Sequence, residues 1–161
     1  MTVMKTFGAV LGLLCLLPHL AVARLGDTPD ALTKRLGVEA KPSFIKPALA
    51  QTVVYEYEYN GIHLYAYFWN GKSCEETYSK KSGSFTDAEI ESLLKANNFG
   101  AEWTLRAHNL WEWNTTDASG KTTRVMVAGV ISGDFTIYTV KFFDAYQAAE
   151  TAEQKNRMNK F

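Results

Sequence analysis

Cysteine is nearly absent, at two residues in a chain of 161. That scarcity excludes a disulfide scaffold and any cysteine-rich zinc module. Histidine occurs three times and proline four. Neither sign of charge is in excess, because 17 Lys and Arg face 17 Asp and Glu. A bulk electrostatic grip on nucleic acid or on an anionic membrane is therefore excluded, and no nucleic-acid partner is expected. After its first two dozen or so residues the chain has no apolar run approaching the roughly 20 residues of a spanning helix. What remains is globular: 47% hydrophobic, 13% aromatic and 21% charged, enough for one domain.

The first residues read as an address. Residues 1–5 form a short, weakly basic start, 6–20 are almost uninterruptedly apolar, and Pro18 breaks the run. Ala21-Val22-Ala23 then supplies small residues at the positions a signal peptidase reads. The pattern predicts a signal peptide over 1–23, cleavage after Ala23 and a secreted or periplasmic product with no membrane span after cleavage. Cys15 follows Leu14 inside the apolar core, which weakens a lipoprotein reading. Cys74 is then the one cysteine of the mature chain, expected to be buried and inert, with pairing between chains as the lesser alternative.

Beyond the leader, Thr28-Pro29-Asp30 opens a short helix over about 28–36, with Leu32 and Leu36 on one face and Gly37 at its end. Strict alternation in Tyr55-Glu56-Tyr57-Glu58-Tyr59 predicts a half-buried strand. Asn60-Gly61 predicts a two-residue hairpin that sets Tyr59 opposite Ile62, Tyr57 opposite Leu64, Tyr55 opposite Ala66 and Val53 opposite Phe68. The other face then carries Glu56, Glu58, His63, Tyr65, Tyr67 and Trp69. Asn70-Gly71 returns the chain through Cys74 and Tyr78. Two turn types there would place Cys74 on opposite faces.

A capping box, Thr86-Asp87-Ala88-Glu89, with Phe85 and Ile90 placed as a hydrophobic staple, starts a second helix. Ile90, Leu93, Leu94 and Phe99 make its buried stripe, and Gly100 stops it. Three strands follow, at 110–113, 124–131 and 135–140. The order helix–strand–strand–strand thus occurs twice, giving one α+β domain over 24–143 with pseudo-repeats 24–84 and 85–143. Two short helices pack on an antiparallel sheet, and a small β-sandwich is the runner-up. Residues 144–161 read as a polar, helix-prone tail.

Arg24-Leu25-Gly26-Asp27-Thr28-Pro29, followed by Leu36-Gly37, resembles the opening of a family of small secreted bacterial proteins without an assigned activity. Asn70-Gly71-Lys72, Tyr78-Ser79-Lys80, the helix over 85–94 and the tail closing on Phe161 are similar to that family too. More distantly, Gly26-Asp27-Thr28, Leu36-Gly37 and Asn70-Gly71-Lys72 resemble a superfamily of envelope proteins. It includes the SmpA/OmlA-like small lipoprotein subunit of the outer-membrane barrel-assembly machinery and the β-lactamase-inhibitory proteins. The resemblance implies short helices against an antiparallel sheet and a binding or scaffold role.

No catalytic, metal or cofactor motif stands out. No G-x-S-x-G elbow, H-x-x-x-H, C-x-x-C, calcium loop or phosphate loop is present, so no cofactor or metal is expected. Glu56 and Glu58 lie about 7 Å apart on one strand side. With His63 they leave open a small secreted hydrolase. The leading expectation is a non-enzymatic binding module that docks another envelope or secreted protein through Tyr65, Tyr67 and Trp69, flanked by Glu56, Glu58 and His63. Two arrangements would cover those aromatics instead: the tail folding back over them, or the second half packing there as a sandwich. Oligomeric state is not legible.

Overall fold

The computed structural model describes residues 24–99 and 102–159; the expected leader over 1–23 and the expected stop at Gly100 lie outside them. Its framework is one antiparallel sheet of eight strands with three helices. In chain order these are α1 (Pro29–Leu36), β1 (Lys41–Pro42), β2 (Thr52–Tyr59), β3 (Ile62–Trp69), β4 (Lys72–Lys80) and α2 (Asp87–Ala96). They continue with β5 (Thr104–Ala107), β6 (Leu110–Thr116), β7 (Thr122–Ile131), β8 (Asp134–Thr139) and α3 (Val140–Met158). The strand order is β1-β2-β3-β4-β8-β7-β6-β5.

The fold class is therefore α+β, with three departures from the sequence reading. A third helix is present. α1 and α2 are each followed by four strands rather than three, because the short β1 and β5 extend the two ends of the sheet. The strands form one continuous sheet among the described residues, which removes the sandwich. The two runs of four strands meet antiparallel at β4 and β8, from Glu75↔Tyr138 to Tyr78↔Phe135.

Local chemistry explains the elements. Thr28 accepts from the Ala31 amide and Pro29 occupies the first turn of α1; Gly37, at φ 69°, closes the helix with its amide on the Thr33 carbonyl. The Thr86–Glu89 capping box opens α2. That helix stops at Asn97 rather than Gly100. Asn97 is buried, donates from Nδ2 to the Leu93 carbonyl and accepts the Leu25 amide at Oδ1, 2.8 Å away. Phe99 consequently leaves the helix with φ 43° and is half exposed, outside the predicted stripe.

The first hairpin has the predicted register, from Tyr59↔Ile62 to Val53↔Phe68. At the second, Asn70 and Gly71 both take positive φ, as a two-residue primed turn requires. The register then slips: Tyr67 faces Glu75 but Phe68 faces Ser73, so Cys74 is an inserted residue. One sheet face packs Tyr57, Leu64, Phe68, Tyr78, Phe135 and Ile137 against Leu32, Leu36, Ile90, Leu93 and Leu94 of α1 and α2. Each such side chain contributes about 1.5–3 kcal/mol on burial.

Candidate functional site on the opposite sheet face

Side chains of β2 and β3 that point away from α1 and α2 are those singled out by alternation. α3 crosses part of this face. Its Phe142, 1% exposed, sets its ring 6.2 Å from Tyr67 and 6.1 Å from Trp69. Phe143 stacks on Tyr138 at 4.8 Å. The expected patch of Tyr65, Tyr67 and Trp69 is therefore divided: Tyr67 and Trp69 are packed under α3, and Tyr65 lies outside those contacts. Burial, aided by Glu75, pushes the Tyr67 hydroxyl up to about 12. Burial alone pushes the Glu75 carboxyl up to about 7.

Glu56, Glu58, His63 and Tyr65 come together. His63 Nε2 lies 3.5 Å from Glu56 Oε2, and Nδ1 lies 3.7 Å from Glu58 Oε1. Its ring stacks on Tyr65 at 4.5 Å and 19°. Lys81 Nζ donates to Glu58 Oε2 at 3.1 Å and holds that carboxyl below its ordinary range. At the sheet edge, Ser43 donates its amide to the Val54 carbonyl as the chain leaves β1. Phe44 there is 99% exposed, with Ile45 and Val53 also exposed nearby. The sequence reading passed over Phe44. Its signal was an apolar pair held in a non-strand segment between Pro42 and Pro47.

A second feature was also missed. β4 and β8 pair only from Glu75 and Tyr138 onward, and β4 before Glu75 has no β8 partner. The segment before α1 bonds there instead: Gly26 donates to the Ser73 carbonyl at 2.7 Å, and Ser73 donates to the Asp27 carbonyl at 2.8 Å. Beside this divergence opens a cleft of about 550 Å³, lined by Leu25, Trp69, Cys74, Phe99, Trp113 and Val125 among others. The Cys74 thiol donates to the Tyr67 carbonyl at 3.1 Å, and burial pushes it up to about 12. Cys74 is free and buried in the cleft wall, where the raised pKa keeps its thiol protonated.

Among the described residues no cluster of His, Cys, Asp and Glu could hold a metal ion. No described helix is long and apolar enough to cross a membrane. No family model matches the chain, and no curated protein matches it. Among solved structures it is similar to a cysteine-rich secretory protein from Staphylococcus aureus subsp. aureus Mu50, at 11% identity and a TM-score of 0.41. That likeness covers 76% of this chain and 46% of the staphylococcal one, so the chain spans under half of its length.

Proposed function

We propose that this chain is a non-enzymatic secreted or periplasmic binding module that docks another protein along the β1–β2 edge. The observation that carries the reading is Phe44, a large aromatic 99% exposed and held between two prolines. Aromatic anchors of this kind dominate interface energetics when a partner supplies a pocket. Ile45 and Val53 extend the apolar strip, and the Glu56–His63–Tyr65 array supplies polar rim contacts. β1 pairs only Lys41↔Glu56 and Pro42↔Tyr55, so β2 beyond Glu56 keeps an edge to which a partner strand can add. The tandem reading of helix plus meander, and the resemblance to envelope binding proteins, point the same way.

The hydrolase alternative on Glu56, Glu58 and His63 draws less support. A general acid needs a carboxyl that is protonated near working pH. Lys81 instead favours the Glu58 carboxylate. The leader-like start supports a product outside the cytoplasm, and intact-mass analysis from the native host should then begin at Arg24. Recovery of a Met1 form or a lipid-modified Cys15 would overturn that placement.

The docking test uses Phe44→Ser. It should weaken capture of an envelope partner by about tenfold or more, with an unchanged thermal midpoint. Hydrogen exchange in the complex should protect residues 43–46 and 52–58. Undiminished capture, or protection confined elsewhere, overturns the edge as the docking surface.

A further inference from the structure

The cleft beside the β4–β8 divergence has a chemistry of its own. Its volume of about 550 Å³ lies within the usual range for small-molecule sites. Its walls are apolar and aromatic, with Trp69 and Cys74 from the first half of the chain and Trp113 and Val125 from the second. Such a cavity wants a hydrocarbon body.

Its charged groups have one sign. Lys72 and Lys141 line the cleft, and no Asp or Glu does. Lys141 Nζ lies 5.9 Å from the centre of the Trp69 ring, and the Arg24 guanidinium 4.5 Å from that of Phe99. None of these three cations takes part in an ion pair among the described residues. Charges of one sign at the rim of an apolar cleft, with no acidic side chain in its lining, favour an anionic ligand.

Hydrogen bonding adds an independent sign. Trp113 Nε1, in the cleft wall, is buried without an acceptor among the described residues. Arg24 Nε is likewise buried without one. Phe99 joins the two, with the Arg24 guanidinium over its ring and the Trp113 ring 6.2 Å away. Orphaned buried donors are rare, since each forfeits a hydrogen bond it had in water. The Trp113 N–H in the cleft wall lacks an oxygen, and a carboxylate supplies one.

We propose that this cleft binds a small apolar monoanion, an aryl or medium-chain alkyl carboxylate. The hydrocarbon lies between Trp69 and Trp113, and the carboxylate faces the Lys72 and Lys141 cations and the Trp113 indole N–H, with the Arg24 guanidinium behind Phe99. The site is separate from the Phe44 edge, so the molecule would carry a small-molecule site in addition to its protein-docking strip.

The test titrates decanoate, below its micellar concentration, into the full chain by calorimetry and by NMR of the indole N–H signals. Saturable one-site binding is expected, with shifts at Trp69 and Trp113. Trp103, whose Nε1 donates to the Leu94 carbonyl, should stay still. Decanol should bind about tenfold more weakly. The double variant Lys72→Gln/Lys141→Gln should lose about tenfold for decanoate and nothing for decanol. Val125→Phe should block both. Equal affinity for decanol and decanoate, or shifts spread over all the indoles, overturns the proposal. So does a Lys variant that binds decanoate as before. If Val125→Phe fails to fold, the indole map and the Lys variant decide alone.

Discussion

Glu76 enters the core because the inserted Cys74 reverses the phase of β4. Without that bulge, Glu75, Thr77 and Ser79 would face α1 and α2, and the large Tyr78 would face away. With it, Tyr78 is fully buried, and Glu76 must follow it inward. Ser73 Oγ lies 2.7 Å from Glu76 Oε1, and the Tyr78 hydroxyl donates to Oε2 at 2.6 Å. Burial outweighs these bonds and pushes the carboxyl up to about 7. The folded state thus binds a proton that the unfolded chain has released. Stability from this group is full below about pH 4.5 and is lost as pH rises through about 7. Glu75, raised to about 7 on the other face, acts in the same direction. Glu76→Gln should therefore exceed the parent in stability at pH 8, by on the order of 2–3 kcal/mol, and match it near pH 5. Urea titrations at both pH values check this; a variant weaker at pH 8 would show an ionised, well-solvated Glu76. Neither glutamate's burial was legible in the sequence, because it depends on a bulge that no turn residue announces. Glu56, Glu58, His63 and Tyr65 were legible, because strict alternation around Asn60-Gly61 fixes one face whatever packs on it.

Helices divide in the same way. The Thr28-Pro29 start and the Thr86–Glu89 box are local signals, so α1 and the opening of α2 could be read directly. The end of α2 could not, because Asn97 stops it through a bond to Leu25, 72 residues away. α3 was legible in part: a helix-prone tail is expected from 144, and the helix starts ahead of it, at Val140. Its segment alternates well enough to continue β8, and most of its length offers a covering helix few large apolar residues. Thr139, whose Oγ accepts the Phe142 amide, turns the chain from strand to helix. Two adjacent rings then seat it: Phe142 packs against Tyr67, Trp69 and Tyr146 and Phe143 stacks on Tyr138, while residues 151–158 are exposed throughout. Phe142→Ala should cost about 3–5 kcal/mol, shift Trp69 emission to the red and strip α3 of exchange protection. Met158→Ala, at an exposed position, should change stability by less than about 0.5 kcal/mol. Retained protection in α3 of Phe142→Ala would mean that the tyrosines, not this ring, hold the helix.

At the scale of the molecule, two helix-and-meander halves are joined by a short seam. β4 and β8 share register only from Glu75↔Tyr138 to Tyr78↔Phe135, and beyond Glu75 the sheet opens into the cleft. The seam is narrow in hydrogen bonds, so its strength must come from side chains. Phe135 supplies them: fully buried on β8, its ring lies 6.0 Å from Tyr78 of the first half and 6.4 Å from Phe85 at the start of α2. A core shared in this way makes each half depend on the other. The intact chain should unfold in one transition, with Trp69 reporting the first half and Trp103, Trp111 and Trp113 the second. Phe135→Ala should lower both midpoints together, at a cost of about 3–5 kcal/mol. Fluorescence from a variant retaining only Trp69, compared with one lacking it, separates the two reports against a common circular-dichroism curve. If the Trp69 transition moves and the other stays, the halves fold independently, and the seam is a contact between two domains rather than the centre of one.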